Sequence, residues 1–406
     1  MTKTDKPAGW PANEPPSRTQ DWSEFAESDR QANIQVNEDF ERFNQSNDMF
    51  SRSLWDENVK SEHSTGFWRS YRDPQPRKGD GFRQRDFALR NAAWTVANAV
   101  MARCFRDGSK EGFTSPIEAD HPPIPIKAPV PDPAAMAAEI KRVGAYFGAD
   151  LVGITEYDER WVYATRYDHK IKEDVPNEMP EGLTSVILCC HAMDHETVQT
   201  FPSALGGAAV GKGYSSEAAM VMQVAQFIRD MGYQAVGTMN DTSLAIPQAV
   251  KAGLGEYGRH NMLITRDFGP RVRISKIFTD LPLAHDGPKP FGVTEFCNIC
   301  RRCAEACPVK AISFEEPSDS GRNRSSSKGV TKWTTDCEKC FGYWAKMRTD
   351  CAICLRVCPF NKDFSKWYMR LARRLAGTGA RRLMLWLDIK LGFGGRLQPG
   401  EWWGDA

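Results

Sequence analysis

The clearest chemistry lies in the cysteines. Apart from Cys104, Cys189, Cys190 and Cys337, the twelve cysteines gather between residues 297 and 358. The run "CNICRRCAEACPVK" sets Cys297, Cys300, Cys303 and Cys307 in the order C-x2-C-x2-C-x3-C-P. Gaps this short let three thiolates wrap one corner of an iron–sulfur cubane, while the fourth reaches across to a second cluster. The run "CAICLRVCPFNK" repeats the last three positions with Cys351, Cys354 and Cys358, but holds Arg348 where the counterpart of Cys297 would stand. One further ligand must come from upstream, and Cys340 and Cys337 are the candidates. Zinc sites pair one C-x2-4-C with a distant second pair, a pattern these runs do not follow. The spacing therefore predicts two [4Fe–4S] clusters. Cys297, Cys300, Cys303 and Cys358 hold one; Cys307, Cys351, Cys354 and the upstream cysteine hold the other. Two clusters form a short electron wire, and a wire implies an acceptor.

A second stretch, "GGAAVGKGYSSEAAMVMQVAQFIRDMGY", nearly contains a phosphate-binding loop in Gly206, Gly211 and Lys212. Such a loop needs Ser or Thr after the lysine to hold magnesium. Here Gly213 and then Tyr214 follow, so no nucleotide is expected to bind. No G-x-G-x-x-G follows a strand, so the usual dinucleotide fingerprint is missing. The cobalamin-binding D-x-H-x-x-G is also absent, because Asp168-His169 and Asp194-His195 have the wrong spacing. His191 and His195 receive no role. By residue type alone, Tyr214 is a boundary residue with its hydroxyl in water. Asn240 is a turn residue, Arg273 lies on the polar face of a strand, and Trp344 packs beside a cluster.

Elements must position these groups. Residues 1–125 read as an irregular, aromatic-rich segment between the Pro clusters "PANEPPS" and "HPPIPIKAPVPDP", the second a linker. "AAMAAEIKRVGAYFG" reads as a helix ended by Gly148. "DLVGITEY", "SVILCCHA", "YQAVGT" and "RVRISKIFTD" read as strands. Ser215 or Ser216 caps a helix running to about Met231, with Gly232 at its C-terminal end. That helix is apolar nearly all round and should be buried. The alternation predicts an α/β layered core over 126–285, followed by a two-cluster domain over 286–365. The tail, 366–406, sets Trp367, Leu371 and Leu375 at helical spacing among Arg370, Arg373 and Arg374. It reads first as packing on its own domain, and second as a basic amphipathic face for lipid or a partner.

Composition narrows the function. With 53 Lys and Arg against 52 Asp and Glu, the formal net charge is +1, which exerts no general pull toward nucleic acid. No apolar run is long enough for a membrane span. A chain of 406 residues is not a small secreted disulfide scaffold. The N-terminus carries neither a signal-peptide core nor a twin-arginine motif. The expected location is therefore cytoplasmic if the chain is complete, or membrane-associated on the exported face if a signal was removed.

The stretch "FIRDMGYQAVGTMNDTSLAIPQAVKAGLGEYGRHNMLITRDFGPRVRISKIFTDLPL" resembles the core of corrinoid-dependent reductive dehalogenases, as do "EKCFGYWAKMRTDCAICLRVCPFNK" and "NDMFSRSLWD". The similarity spans most of residues 40–365. It implies a nitroreductase-like core of the α/β (α+β) class holding a base-off corrinoid, joined to a ferredoxin-like domain with two [4Fe–4S] clusters. The family's Lys-Cys ligand favours Cys340 over Cys337. The resemblance implies that Tyr214 opens a helix and donates a proton, that Arg273 (or Arg271) lowers its pKa, and that Asn240 orients the substrate or the phenol. It further implies that Phe50, Trp68, Trp344, Trp55 and Trp94 wall an apolar pocket for an aromatic or alkenyl organohalide. The implied reaction replaces carbon-bound halogen by hydrogen. The implied partners are a separate electron-donor protein or membrane quinol-linked partner and a small membrane-anchor subunit. An epoxyqueuosine reductase acting on transfer RNA would need a basic face and a carboxylate acid. A two-cluster electron-transfer subunit would bind no corrinoid.

Overall fold

The computed structural model describes residues 22–75, 79–107, 122–168 and 171–405. The first Pro cluster and His169 lie outside them. Strands β1 (Leu151–Glu156), β2 (Ser185–Ala192), β3 (Ala235–Thr238) and β4 (Val272–Thr279) form one sheet in the order β1-β2-β4-β3. Every neighbouring pair is antiparallel. Alternation along β2 sends Ile187 and Cys189 into one apolar cluster, and Val186, Leu188 and Cys190 into another on the opposite face. Both faces are covered, so the strand reads as one continuous apolar run.

Helices flank the sheet. From the N-terminal side, α1 (Met49–Trp55), α2 (Glu62–Ser70), α3 (Gln84–Ala93) and α4 (Thr95–Asp107) precede α5 (Pro133–Tyr146) and the long α6 (Ala204–Asp230). The N-terminal segment is thus helical where an irregular chain was expected. Its helices bury Arg52, Ser53, Asp86 and Arg90, and these polar residues break the apolar periodicity by which a buried helix is read. Asp48 and Ser61 cap two of them.

Helix α6 corrects a second expectation. Its cap is Ser203, whose hydroxyl accepts from the Gly206 amide at 2.8 Å. Tyr214 therefore lies inside the helix, and Ser215 does not cap it; its hydroxyl donates to the Ala93 carbonyl at 2.6 Å and accepts from the Ala97 amide, in the first turn of α4, at 3.2 Å. The glycines are approach points. A Cβ at Gly207 would meet Arg90 Cδ at 2.6 Å, and one at Gly213 would meet Arg273 Cγ at 2.5 Å. One at Gly211 would run into the Trp94 ring. Glycine inside a helix costs about 1 kcal/mol relative to alanine; here it admits side chains from α3, the α3–α4 junction and β4. Helix α6 ends at Asp230 and Met231 caps it; the next residue, Gly232, takes a φ of +86° that suits glycine.

The cysteine region is built from short helices, among them α7 (Cys337–Met347). Buried Arg259 fastens it to the core. Its Nε and Nη2 donate to the Cys297 carbonyl at 3.1 and 3.0 Å, and its Nη1 to the Ser313 and Glu315 carbonyls at 3.0 Å each. Helices α8 (Trp367–Ala376) and α9 (Arg381–Lys390) close the chain against Phe296 and Phe360.

Candidate active site and cysteine quartets

The thiols fall into two groups. Burial, and then the neighbouring thiols Cys300 and Cys303, hold Cys297 un-ionised; Cys358 and Cys300 act likewise on Cys303, and Cys297 and Cys300 on Cys358. In the second group burial comes first again. Cys351, Cys337 and Cys307 then oppose ionisation of Cys340, and Cys351, Cys340, Cys303 and Cys307 that of Cys354. Thiols so crowded ionise only against strong positive charge, which cluster iron provides. Backbone amides point at several sulfurs: the Ala311 amide donates to Cys307 Sγ at 3.3 Å. Among the described residues, no three His, Cys, Asp or Glu side chains could close on a single metal ion. Cys340 stands among Cys307, Cys351 and Cys354. Cys337 instead has Asp336, Asp48, Arg52 and Glu338 around it, donates to the Thr335 carbonyl at 3.5 Å and lines a cavity. Cys303, Cys307 and Cys354 pack with Ala304 and Ile312, so the two quartets adjoin.

Tyr214 is buried. The Trp94 ring stacks on it at 4.9 Å and 26°, and the Arg273 guanidinium lies 3.8 Å from its ring centre. Trp94 Nε1 donates to the Tyr71 hydroxyl at 3.2 Å, and Tyr71 donates to Asp350 Oδ2 at 2.6 Å. Asp350 immediately precedes Cys351, so a chain of contacts runs from the second quartet to the phenol. Arg273 Nη2 donates to Asn240 Oδ1 at 3.1 Å. Asn240 thus holds the guanidinium. Arg271 lies elsewhere, its Nη1 donating to the Met193 carbonyl at 2.8 Å. Burial raises the Tyr214 pKa well above that of an ordinary phenol, and Arg273 pulls it down without cancelling the burial. Arg273 thus acts in the expected direction, while desolvation disfavours the phenolate more than one neighbouring cation favours it.

The sequence reading overlooked Glu217, one turn along α6 from Tyr214. It is fully buried, and its Oε2 lies 3.8 Å from Arg273 Nε. A carboxylate in the middle of a largely apolar helix was the available signal.

Three of the five expected aromatic residues, Phe50, Trp94 and Trp344, share a cluster with the phenol. Phe50 meets Trp68 at 5.3 Å and Trp344 at 6.2 Å, and Trp94 covers Tyr214. Trp55 does not join them: its Nε1 donates to the Ser46 carbonyl at 2.9 Å, and Arg324 lies over its ring. Phe50, Trp94 and Trp344 pack with Phe67, Tyr71 and Phe341 into that cluster, Trp68 lies exposed against Phe50 and Phe67, and none of the five lines the cavity beside the site. That cavity, about 380 Å³, is lined by Asn240, Arg273, Tyr257, Lys332, Cys337 and Leu355 among others.

An antiparallel sheet under a long helix, joined to eight thiols in two adjoining quartets, defines a double iron–sulfur protein with a site in which half-buried Arg273 and Asn240 meet the buried Tyr214. A family model described as a 4Fe-4S double cluster binding domain matches residues 296–361, and one described as a reductive dehalogenase subunit matches residues 164–283. A tetrachloroethene reductive dehalogenase of Sulfurospirillum multivorans is 33% identical over 358 residues, 78% of this chain and 69% of that protein. Another, of Desulfitobacterium hafniense, is 37% identical over 310 residues, 64% of this chain and 54% of the relative. An epoxyqueuosine reductase of Leadbetterella byssophila is 27% identical over 249 residues. A solved reductive dehalogenase structure, described as suggesting a mechanism for B12-dependent dehalogenation, superposes with a TM-score of 0.70 at 23% identity. The match covers 89% of this chain and 48% of that one. The chain belongs to the reductive dehalogenase family. It spans about half the length of the Desulfitobacterium relative.

Proposed function

We propose that the protein is a reductive dehalogenase: R–X, two electrons and one proton give R–H and halide. The observation that carries this reading is the cavity whose lining includes Arg273 and Asn240 of the phenol site together with Leu355, the neighbour in sequence of Cys354. A group seated there would lie between the phenol site and the second quartet. Hydroxyl-bearing Ser243, Ser325, Ser326, Ser327, Thr334 and Thr335 line it beside apolar residues, a mixture that fits the amide-fringed, apolar body of a corrinoid. When bound, the corrinoid supplies a strongly reducing cobalt, and the two clusters supply its electrons singly.

The chain's own residues do the rest. Cys297, Cys300, Cys303 and Cys358 hold one cluster, and Cys307, Cys340, Cys351 and Cys354 the other. Tyr214 holds the proton that replaces the halogen. Arg273 lies over its ring to stabilise the phenolate, and Asn240 fixes Arg273. Trp94 keeps the phenol oriented. The aromatic setting of the phenol, with Trp94 as the ring stacked on it, favours a flat, poorly hydrated organohalide, aromatic or alkenyl.

Electrons come from a separate donor protein or a quinol-linked membrane partner. The exposed Trp367, Leu371, Trp386 and Ile389 on α8 and α9, set among arginines, suit a membrane surface or an anchor subunit. Anaerobically prepared protein, loaded with corrinoid and about eight irons, should release halide from chloroalkenes or halophenols with reduced viologen. Full loading without halide release would overturn the reading. Turnover of an epoxyqueuosine-bearing stem loop would favour the transfer-RNA alternative.

A further inference from the structure

Glu217 has no part in the scheme above, yet its placement is costly. It is fully buried, and neither carboxylate oxygen has a hydrogen-bond partner. An ionised carboxylate in that state would forfeit its hydration without replacement. The side chain sits one helical turn beyond Tyr214, on the same face of α6. Its Oε2 approaches Arg273 Nε at 3.8 Å, too far for a hydrogen bond, and Arg273 Nε is itself buried and unbonded. The same guanidinium lies over the Tyr214 ring at 3.8 Å. One cation therefore faces two acids, of which only one can command its charge.

We propose that Glu217 is a positioning residue that controls how much of the Arg273 charge reaches Tyr214. Protonated, Glu217 leaves the guanidinium over the phenol ring, ready to stabilise the phenolate as the proton departs. Ionised, it draws Arg273 toward itself and opposes the phenolate with its own negative charge. The protonated form is therefore the active one, and proton transfer to substrate slows as Glu217 ionises.

The other groups facing Glu217 agree with this. From β4 come Arg273 and Lys276, both of which favour the carboxylate. Lys276 is itself fully buried and donates to the Asp241 carbonyl at 2.9 Å. Burial pulls the Lys276 pKa down, and burial also raises that of Asp241. From β2 come Cys189 on the α6 side of the sheet and, through the sheet on its opposite face, Cys190, both of which burial keeps as neutral thiols. Tyr214 approaches along the helix. Burial outweighs the two cations and raises the Glu217 pKa to about 7, so the switch operates near neutrality.

The inference rests on the dehalogenase reading, and two measurements separate them. The first compares wild type with Glu217→Gln, a neutral isostere, using one reduced viologen and saturating organohalide across a pH series. Variant and wild type should turn over equally in mild acid. Above about pH 7 the wild type should lose up to about tenfold per pH unit relative to the variant, with iron and corrinoid contents equal. A rate ratio that stays constant with pH, or a fully loaded variant inactive throughout, would overturn the inference. The second measurement needs no variant: infrared difference spectra of the holoprotein labelled with carboxyl-13C glutamate, recorded on either side of neutrality. A protonated glutamate band present in mild acid and lost in mild base is expected, and its absence in mild acid overturns the proposal. Wild type that is inert at every pH would sink the dehalogenase reading, while the infrared spectra would still decide the protonation of Glu217.

Discussion

At the scale of single residues, chemistry depends on which proton moves and which thiols hold iron. Tyr214, like any phenol, is protonated at neutral pH, and burial makes its phenolate harder still to reach, so its reactivity depends on Arg273. Losing a positioned general acid typically lowers a rate by about 10² to 10⁴. Tyr214→Phe should show a loss in that range while keeping iron and corrinoid, because the ring that Trp94 and Arg273 pack against remains. Turnover of wild type in D₂O should place deuterium where halogen stood. Near-normal turnover by a loaded Tyr214→Phe variant would remove Tyr214 as donor. The cysteines give a paired comparison. Cys340→Ser should lower iron toward half and abolish turnover, since Cys340 stands with Cys307, Cys351 and Cys354. Cys337→Ser should keep the iron. Iron analysis of both purified variants decides between them, and the reverse result would exchange their roles.

At the scale of elements, α6 acts as a spacer whose glycines set distances. Gly207, Gly211 and Gly213 let Arg90, Trp94 and Arg273 reach the helix surface. The close approach at Gly213 brings the Arg273 stem against the backbone beside the phenol. Gly213→Ala would place a methyl 2.5 Å from Arg273 Cγ, and that carbon, near the root of the side chain, can yield only by moving the guanidinium. Overpacking of this kind costs about 1–3 kcal/mol. Gly213→Ala is therefore expected to unfold at lower denaturant concentration and to lose turnover out of proportion to its stability. A variant with full activity would mean that Arg273 shifts freely and that its seat over Tyr214 is not required.

At the scale of the whole molecule, the tail joins the first quartet to the outside. Asp388 on α9 pairs with Arg302 and, at 2.7 Å, with Lys362, which locks the tail to the cysteine region. Ala376, Met384 and Leu385 pack beside Phe296 and Phe360. The tail thus packs on its own domain, yet Trp367, Leu371, Leu383, Trp386, Ile389 and Leu391 remain exposed. Apolar side chains among Arg370, Arg374, Arg381 and Arg382 form a surface that anionic lipid would attract. Among the described residues no helix is long and apolar enough to cross a membrane, so contact through these helices would be peripheral. The protein should co-sediment with phosphatidylserine vesicles at low salt, less at high salt, and less after Trp386→Ser. Absence of co-sedimentation would leave a protein partner as the occupant of this face.

The sequence by itself determined the parts of this protein whose signal is local. Cysteine spacing identified both cluster runs because a cubane corner demands short, fixed gaps, and β2 could be read from Ser185 to Ala192 because a strand covered on both faces is continuously apolar. Only the tertiary structure decided the relations between distant segments. The start of α6 was misread because glycines, usually breakers, there serve as contact points for Arg90, Trp94 and Arg273. The N-terminal helices were missed because they bury charged residues against partners far along the chain. Glu217 was invisible for the same reason: what makes a buried carboxylate consequential is the arginine opposite it, and β4 brings that arginine to α6 from 56 residues away.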